Sequence, residues 1–511
     1  MAKTALISVS NKEGIAEFAK GLQRLGYKIL STGGTASLLK KNSINVTEIS
    51  EYTGFKEMLD GRVKTLHPKI FGGILAVRGN KGHMRQLKEN SMEKIDIVVV
   101  NLYPFEETVA ANAPFNEAIE NIDIGGPSLL RAAAKNFESV ITIVDPADYA
   151  LVFGQLKKNN IDKKLHSALA LKVFDHTARY DSIINNYFRE KFSNQLFPET
   201  LNLTFKKKQD LRYGENPHQK AAFYVDPILF ESSIATAKQL HGKEISFNNI
   251  LDIDNAFELV KRFKEPAAAV IKHTNPSGCA VGKTIEEAFK KAYEADTLSA
   301  FGGVIALNSP CNKKTAELIS GFFAEIVICP KFEKDALNIL MKKKNLRLLE
   351  TGGIKKSEKG YYMKKVVGGL LAQSRNFIPE ITKKDLKVVT KRKPTEEEIT
   401  QMLFAYKVTG HVKSNSIVFA KDNVTAGIGA GQMSRVVSVK IAAEKAGSKA
   451  RGAVMSSDAF FPFRDGIDEA AKAGITAIIQ PGGSVKDDEA VKSADEHNIA
   501  MVFTGIRLFW H

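Results

Sequence analysis

Short apolar runs recur through the first 150 residues of this chain, each ending in a polar or glycine-bearing turn that leads into a helical pattern. Residues 4–10, 27–30, 96–100 and 140–144 read as buried strands. Between the first two, Ile15, Phe18, Ala19, Leu22 and Leu25 fall on one helical face. Strands alternating with helices leave few topologies, and the simplest is a parallel sheet with helices packed on both faces. A long helical region over 163–192 closes this unit, and the polar, proline-containing stretch 193–208 marks its boundary. The chain, too long for one core, is therefore expected to hold one domain over 1–200 and another over 201–511.

The second part contains an internal doubling. One half reads strand, Asn275-Pro276-Ser277-Gly278, helix 285–295, Ser299-Ala300-Phe301-Gly302-Gly303, a helix from Lys314, strand 325–329. The other reads strand, Gly429-Ala430-Gly431-Gln432, helix 436–446, Ser457-Asp458-Ala459-Phe460-Phe461, a helix from Ile467, strand 476–480. The shared order predicts two related α/β subdomains, each placing a glycine turn and an Ala-Phe turn around related clefts. The lysine-rich stretch 355–393 between them is weakly periodic and reads as a connector.

Composition narrows the class. With 44% hydrophobic and 25% charged residues, the chain has the balance of a globular protein. No run reaches the roughly 18 apolar residues of a membrane span. The first residues enter a strand pattern without the apolar region of a signal peptide, so a cytoplasmic location is expected. Cys279, Cys311 and Cys329 lack metal-ligand spacing and are too few for a disulfide framework. The net charge of +16 suits nucleic acid or small anionic substrates. Its excess sits in short lysine clusters, with no arginine-rich tail, zinc finger or aromatic RNA-binding signature, which favours small anions.

Several strand ends carry reactive groups. The octapeptide Ile271-Lys272-His273-Thr274-Asn275-Pro276-Ser277-Gly278 follows an apolar strand, and its Pro and Gly read as the stop that turns the chain. A histidine exchanges protons near neutral pH, and an adjacent cation can stabilise an oxyanion. Ser31-Thr32-Gly33-Gly34-Thr35 lies between strand and helix, where backbone N–H groups and the helix dipole bind phosphate. Ser10 and Lys12, after the first strand, belong to the same end of the sheet. Arg62, Lys64, Thr65 and His67 share one short loop, and Asn101 and Tyr103 stand at another strand end. Asp123, just before Gly125-Gly126, reads either as a helix cap or as the ion-pair partner of Lys135.

Taken in order, the 31–35 turn and segments 61–68, 101–105, 123–136, 211–219, 272–276, 414–416, 427–435, 457–465 and 507–509 span nearly the whole chain. They resemble the bifunctional purine-biosynthesis family that joins AICAR transformylase to IMP cyclohydrolase. The resemblance implies an α/β protein with an N-terminal methylglyoxal-synthase-like parallel-sheet domain that closes formyl-AICAR to IMP. It also implies a C-terminal part of two duplicated cytidine-deaminase-like subdomains that passes the formyl group of 10-formyltetrahydrofolate, a co-substrate, to AICAR.

In the first domain the family's motifs give catalytic roles to Lys64, Tyr103, Asp123 and Lys135. Ser10, Lys12, Ser31, Thr32, Gly33, Gly34, Thr35, Arg62, Thr65, Asn101, Gly125 and Gly126 would surround the nucleotide. In the second, His273 would accept a proton, Lys272 would stabilise the oxyanion and Asn415 would be their hydrogen-bonding companion. Arg212, Tyr213, Gly302, Glu325, Phe460 and Arg507 would hold the nucleotide, and Phe301, Pro462, Phe463 and Asp465 the folate. Glu325 stands where some members carry Asp, which leaves its contact open. No catalytic metal is implied, because the zinc motif of deaminases is absent; a structural monovalent cation is compatible. The family builds its transformylase sites between the subunits of a homodimer and implies no nucleic-acid or membrane partner. On sequence alone two other readings stay open: a single retained activity, and a purine-nucleotide-binding module without catalysis.

Overall fold

The computed structural model describes residues 3–158, 162–193, 195–357, 360–375 and 378–511. Asn194, within the stretch read as a boundary, lies outside the described residues, as do residues 358, 359, 376 and 377 of the connector. The chain divides into two compact units, Met1–Phe205 with Asp226–Ile228, and Lys206–Val225 with Leu229–His511.

In the first unit β1 (Lys3–Val9), β2 (Tyr27–Ser31), β3 (Val46–Glu48), β4 (Ile97–Asn101) and β5 (Ile141–Ile143) form one parallel sheet, ordered β3-β2-β1-β4-β5. Alternate residues of a strand point to opposite faces. Leu6, Leu30, Val98 and Val100 accordingly enter one core, and Ala5, Ile7, Ile29, Ile97 and Val99 the other. Helices Gly125–Lys135 and Lys163–Phe192 bring Leu130 and Val173 to the first core. Helices Ile15–Arg24 and Tyr149–Lys157 bring Leu22 and Val152 to the second. From β1 the chain steps outward to β2 and β3, whereas β4 and β5 lie on the other side. Strand order therefore reverses between β1 and β4, which opens a crevice at their carboxyl ends.

The second unit begins with a two-stranded ribbon, β6 (Lys206–Leu211) and β7 (Ala221–Val225). Its main sheet first takes β8 (Lys238–His241), β9 (Ala267–Lys272), β10 (Asn275–Val281), β11 (Val304–Leu307), β12 (Ile326–Cys329) and β13 (Arg347–Glu350). After a second ribbon, β14 (Tyr361–Val366) and β15 (Gly369–Ser374), it takes β16 (Lys387–Val388), β17 (Ile417–Lys421) and β18 (Val424–Gly429). It ends with β19 (Val454–Ser457), β20 (Ala477–Gln480) and β21 (Ala500–Phe503). The stretch read as a connector thus contains an antiparallel ribbon.

The doubling expected from sequence is visible in this 12-stranded sheet. Outward from its centre run β10-β9-β11-β12-β13-β8 on one side and β18-β17-β19-β20-β21-β16 on the other. Each half opens with a 14-residue helix, Phe247–Val260 or Glu396–Thr409, and both helices pack into one core shared by the halves. The opposite sheet face carries a separate core for each half. Single positions repeat as well. Gly278 in β10 and Gly427 in β18 lie under the helices Ile285–Ala295 and Arg435–Ala446. A Cβ there would stand 1.9 Å from the Ala292 carbonyl oxygen and 2.1 Å from that of Ala442. Glycine is used at both because a helix backbone comes that close.

Two sequence expectations need correction. The chain does not turn at Pro276-Gly278: β9 ends at Lys272, the reversal is His273-Thr274, and Asn275–Val281 is β10. Gly278 marks close packing instead of a stop. The two Ala-Phe turns are also not equivalent, since Ala300-Phe301 precedes β11 whereas Ala459-Phe460 follows its counterpart β19. The glycine turns differ in the same way, one opening β10 and the other closing β18. Because β10 and β18 meet antiparallel, the starts of strands in one half share a rim with the ends of strands in the other.

All three cysteines are buried and free. Among the described residues no helix is long and apolar enough to cross a membrane.

Candidate active sites

The crevice between β1 and β4 is a cavity of about 600 Å³, within the range of small-molecule sites. Ser10 and Lys12 after β1, Thr32 to Thr35, Arg62, Lys64 and Thr65 line it, with Asn101 and Tyr103 after β4 and the 123–126 segment. Asn101 ties the two strand ends together, its Oδ1 accepting from the N–H groups of Ser10 (2.6 Å) and Asn11 (2.9 Å). Not all hydroxyls of the 31–35 turn face the cavity. Ser31 is buried and its Oγ donates to the Ile7 carbonyl at 2.6 Å. Thr35 is buried too, donating to the Val9 carbonyl (3.0 Å) and accepting from Lys12 Nζ (2.9 Å). These two brace the strand ends. Thr32 stands at the N-cap position of the helix Gly33–Lys41 without a side-chain capping bond, and the exposed first residues Gly33 and Gly34 offer the free amides that suit an anion.

Lys12 is held below the usual lysine range by burial. Asp123 is the most perturbed acid of the cleft. Burial raises its carboxyl above the usual range, against the pull of the Gly126 and Tyr103 amides and of the Lys64 charge. Its Oδ1 accepts from the Gly126 N–H at 2.7 Å, which makes it a cap of the helix Gly125–Lys135. A Cβ on Gly126 would sit 2.5 Å from Asp123 Oδ2, so the closeness depends on glycine. Tyr180 fixes the backbone here: its hydroxyl accepts from the Asp123 N–H (2.8 Å) and donates to the Asn121 carbonyl (2.9 Å). Burial pushes the Tyr180 phenol to about 12. Lys64 Nζ lies 3.4 Å from Glu57, and Arg62 pairs with Glu120 at the surface.

Lys135 is not brought to this site. It is the exposed last residue of the helix that Asp123 caps, roughly 15 Å along the axis at about 1.5 Å per residue. Of the two readings of Asp123, the helix cap is the one observed.

In the second unit the candidates collect along one rim of the sheet. That rim holds the starts of β11, β12 and β13, the β9–β10 turn, the end of β18, the start of β17 and the ends of β19, β20 and β21. Lys272 closes β9 and its Nζ donates to the Phe301 carbonyl at 2.8 Å. His273 and Thr274 donate their backbone N–H groups to Asp252 (3.3 and 2.6 Å). Glu325, ahead of β12, accepts from Asn249 at 3.2 Å and lies 3.7 Å from Arg347. Those are the contacts that sequence left open. Arg212 and Tyr213 follow β6, stack at 5.6 Å, and act electrostatically on buried Arg347. Two arginines and a tyrosine therefore gather beside Glu325.

Across the centre line, Asn275 Oδ1 accepts from the Lys413 N–H at 3.0 Å, joining the histidine hairpin to the 413–416 loop. Asn415 is held on three sides, donating to the carbonyls of Gln432 (2.9 Å) and Met433 (3.2 Å) and accepting from Arg435 (2.8 Å). Arg435 is paired with fully buried Asp458, which also accepts from Ser414 Oγ (2.6 Å) and the Ser416 N–H (3.1 Å). Leu508 N–H donates to the Asp458 carbonyl at 2.8 Å, which places Arg507 beside this loop, its guanidinium 4.5 Å over the Phe509 ring.

Phe301 and Phe463 are exposed, the first against Phe323 and the second under Lys486. Asp465 opens the helix Asp465–Ala473, and Gly302 adopts a positive φ of 72° before β11. Among the described residues, no hydrogen bond, ion pair or ring contact joins Phe460, Pro462, Phe463 or Asp465 to Lys272, His273 or Phe301. No cluster of His, Cys, Asp or Glu that could hold a metal occurs among the described residues.

Sequence reasoning missed Tyr180, Asn249, Asp252, Arg347 and the Arg435–Asp458 pair as supports of these sites. They come from helix faces and strand ends remote from the groups they hold, so no local motif announces them. Only the spacing of three from Asn249 to Asp252 to Asn255, which lines three polar residues up along the helix, was readable.

Residues 14–128 match the family described as MGS-like domain, and residues 133–445 match the AICARFT/IMPCHase bienzyme family. Proteins named "Bifunctional purine biosynthesis protein PurH" are similar over the full length of both chains. That of Bacillus cytotoxicus is 54% identical over 513 residues, covering 100% of each chain. That of Thermoanaerobacter sp. is 55% identical over 514 residues, again covering 100% of each. A solved structure described as the crystal structure of ForH is 36% identical, covering 37% of this chain and 98% of its own, with a TM-score of 0.33.

Proposed function

The chain belongs to the AICARFT/IMPCHase bienzyme family and performs the last two steps of purine-nucleotide biosynthesis, and we propose that each of its two units carries one of them. Ring closure belongs to the first unit and formyl transfer to the second. The observation that carries this assignment is the separation of reactive groups. Lys64, Tyr103 and Asp123 line the cavity of the first unit, whereas Lys272, His273 and Asn415 line the rim of the second. The reading in which the chain only binds a nucleotide leaves both sets idle.

In ring closure the carboxamide nitrogen of formyl-AICAR attacks the formyl carbon of the same molecule. The new N–C bond leaves a tetrahedral oxyanion, and one proton leaves the attacking nitrogen. The oxygen gains that proton and the one on the former formamide nitrogen, departs as water, and the ring C=N forms. The open amides of Gly33 and Gly34 suit the phosphate end, with Lys12 and Arg62 nearby. Holding the substrate folded supplies much of the rate. Lys64 offers a cation to the oxyanion, and Asp123, its carboxyl raised above the usual range by burial, is the acid placed for the proton transfers.

In formyl transfer the AICAR amine attacks the formyl carbon of 10-formyltetrahydrofolate. His273 accepts the amine proton, Lys272 stabilises the oxyanion, and the bond to the folate nitrogen breaks as that nitrogen gains a proton. Arg212 and Arg347 suit the nucleotide phosphate, while exposed Phe301 and Phe463 offer flat surfaces to a pterin. A homodimer in which one transformylase site draws on both protomers goes with this family. A cytoplasmic location goes with these substrates.

The purified chain, incubated with AICAR and 10-formyltetrahydrofolate, should release tetrahydrofolate, formyl-AICAR and IMP, each measured separately. A folded chain that yields none of them removes the enzymatic reading.

A further inference from the structure

The hairpin that carries His273 has a backbone unsuited to its second turn residue, Thr274. His273 and Thr274 both have positive φ, 52° and 57°, the conformation of a two-residue turn normally filled by Asn, Asp or Gly. A β-branched residue such as Thr is disfavoured there by its crowded Cβ. The duplicated half supplies the control. Its β17–β18 hairpin turns through Asp422 and Asn423, with φ of 55° and 56°, and those residues adopt the conformation readily. The histidine hairpin therefore keeps a shape that its sequence resists.

Outside contacts hold that shape. Asp252 accepts from the Thr274 N–H with Oδ1 (2.6 Å) and from the His273 N–H with Oδ2 (3.3 Å). Asn255, one turn further along the same helix, donates to the Thr274 carbonyl at 2.7 Å. Asn275 donates to the His273 carbonyl at 3.1 Å. Every backbone N–H and C=O of the two turn residues is thus met by a side chain. Asp252 is half-buried and makes no ion pair among the described residues, so its carboxylate is directed at the turn. In the second half, Gln401 and Phe404 stand at the matching places in the helix Glu396–Thr409, and among the described residues no carboxylate grips the Asp422-Asn423 turn. Of these two hairpins, among the described residues, the one that bears the histidine has the clamp.

We propose that Asp252 is a positioning residue for formyl transfer: by clamping both amides of the His273-Thr274 turn, it fixes the direction from which the imidazole takes its proton. This rests on His273 being the proton acceptor. Without the clamp the turn relaxes towards φ values that threonine prefers, and the Cα–Cβ bond of the adjoining His273 swings away from the substrate.

The experiment compares the parent, Asp252→Ala, and Asp252→Ala combined with Thr274→Gly. Formyl transfer is followed by tetrahydrofolate release, and ring closure of supplied formyl-AICAR reports enzyme concentration. Asp252→Ala should lower kcat for formyl transfer at least ~10-fold, with KM for AICAR within about twofold of the parent. Thr274→Gly should restore most of that loss, because glycine accepts positive φ without a clamp. An unchanged kcat in Asp252→Ala overturns the proposal. So does a loss that Thr274→Gly fails to relieve, since Asp252 would then act on the substrate or on the fold at large. Formyl transfer that survives in His273→Ala sinks the underlying assignment instead, whatever Asp252→Ala does.

Discussion

The cleft of the first unit and the rim of the second are built in opposite ways. The cleft draws on backbone: two helix starts at Gly33 and Gly125, two strand ends tied by Asn101, and a short loop bearing Lys64. The rim draws on side chains spread from Arg212 to Arg507, held by partners such as Asp252, Arg347 and Asp458. A backbone site is fixed by the parallel sheet itself, so each of its parts is a short local motif at a strand end. A side-chain site on a doubled sheet needs supports from both halves. The two should therefore fail independently, and for different reasons.

The largest effects separate the two activities. His273→Ala should cut formyl transfer by about 10²–10⁴-fold while leaving closure of supplied formyl-AICAR near the parent rate. Lys64→Ala should do the reverse, so that formyl-AICAR accumulates when AICAR and 10-formyltetrahydrofolate are supplied together. Loss of both activities from either single change would break the comparison. Next comes Asp458→Ala, which leaves the Arg435 guanidinium buried without its carboxylate and releases Ser414 and Ser416 on either side of Asn415. Removing one partner of a buried ion pair costs about 3–5 kcal/mol. On stepwise heating, formyl transfer should then be lost at a lower temperature than ring closure, a gap absent or smaller in the parent. A smaller, local effect is expected from Gly126→Ala, whose Cβ would meet Asp123 Oδ2 at 2.5 Å. A displacement of about 1 Å at a reacting group can cost ~10²-fold. Ring closure alone should fall, with formyl transfer unchanged as the check.

The same contrast explains what could be read in advance. The alternation of strands and helices, the phosphate-suited turn at Gly33-Gly34 and the cap at Asp123 are local patterns, and the sequence displayed them. The doubling was legible in element order, but its register was not. Ala300-Phe301 and Ala459-Phe460 look alike and reach the same rim, yet they flank opposite ends of equivalent strands. Only the antiparallel meeting of β10 and β18 puts them on one rim, and that pairing leaves no mark in either segment. Gly278 misled for a related reason. A glycine needed for close approach of the Ala292 carbonyl is indistinguishable, in one sequence, from a glycine that ends a strand. Lys135 shows the converse limit, because closeness in sequence to Asp123 became the length of a helix.

The smallest effect tests whether the cleft holds its acid at a cost in stability. Burial raises the Asp123 carboxyl above its ordinary value of 3.8, so the folded chain binds this proton more tightly than the unfolded chain does. Such a group contributes its stability fully below 3.8, and the contribution is lost as pH rises through the higher folded value. Asp123→Asn places an uncharged isostere there, and its carbonyl can still accept from the Gly126 N–H. The variant should therefore match the parent in thermal stability near pH 4 and exceed it at pH 7, while ring closure falls. The rim offers the comparison, because Asp458 sits buried against Arg435 and its loss should destabilise at pH 7. One aspartate would then be kept for chemistry and the other for architecture. An Asp123→Asn protein less stable than the parent at pH 7 would instead make the charge of Asp123, through Lys64 and the amides of Tyr103 and Gly126, a net support of the fold.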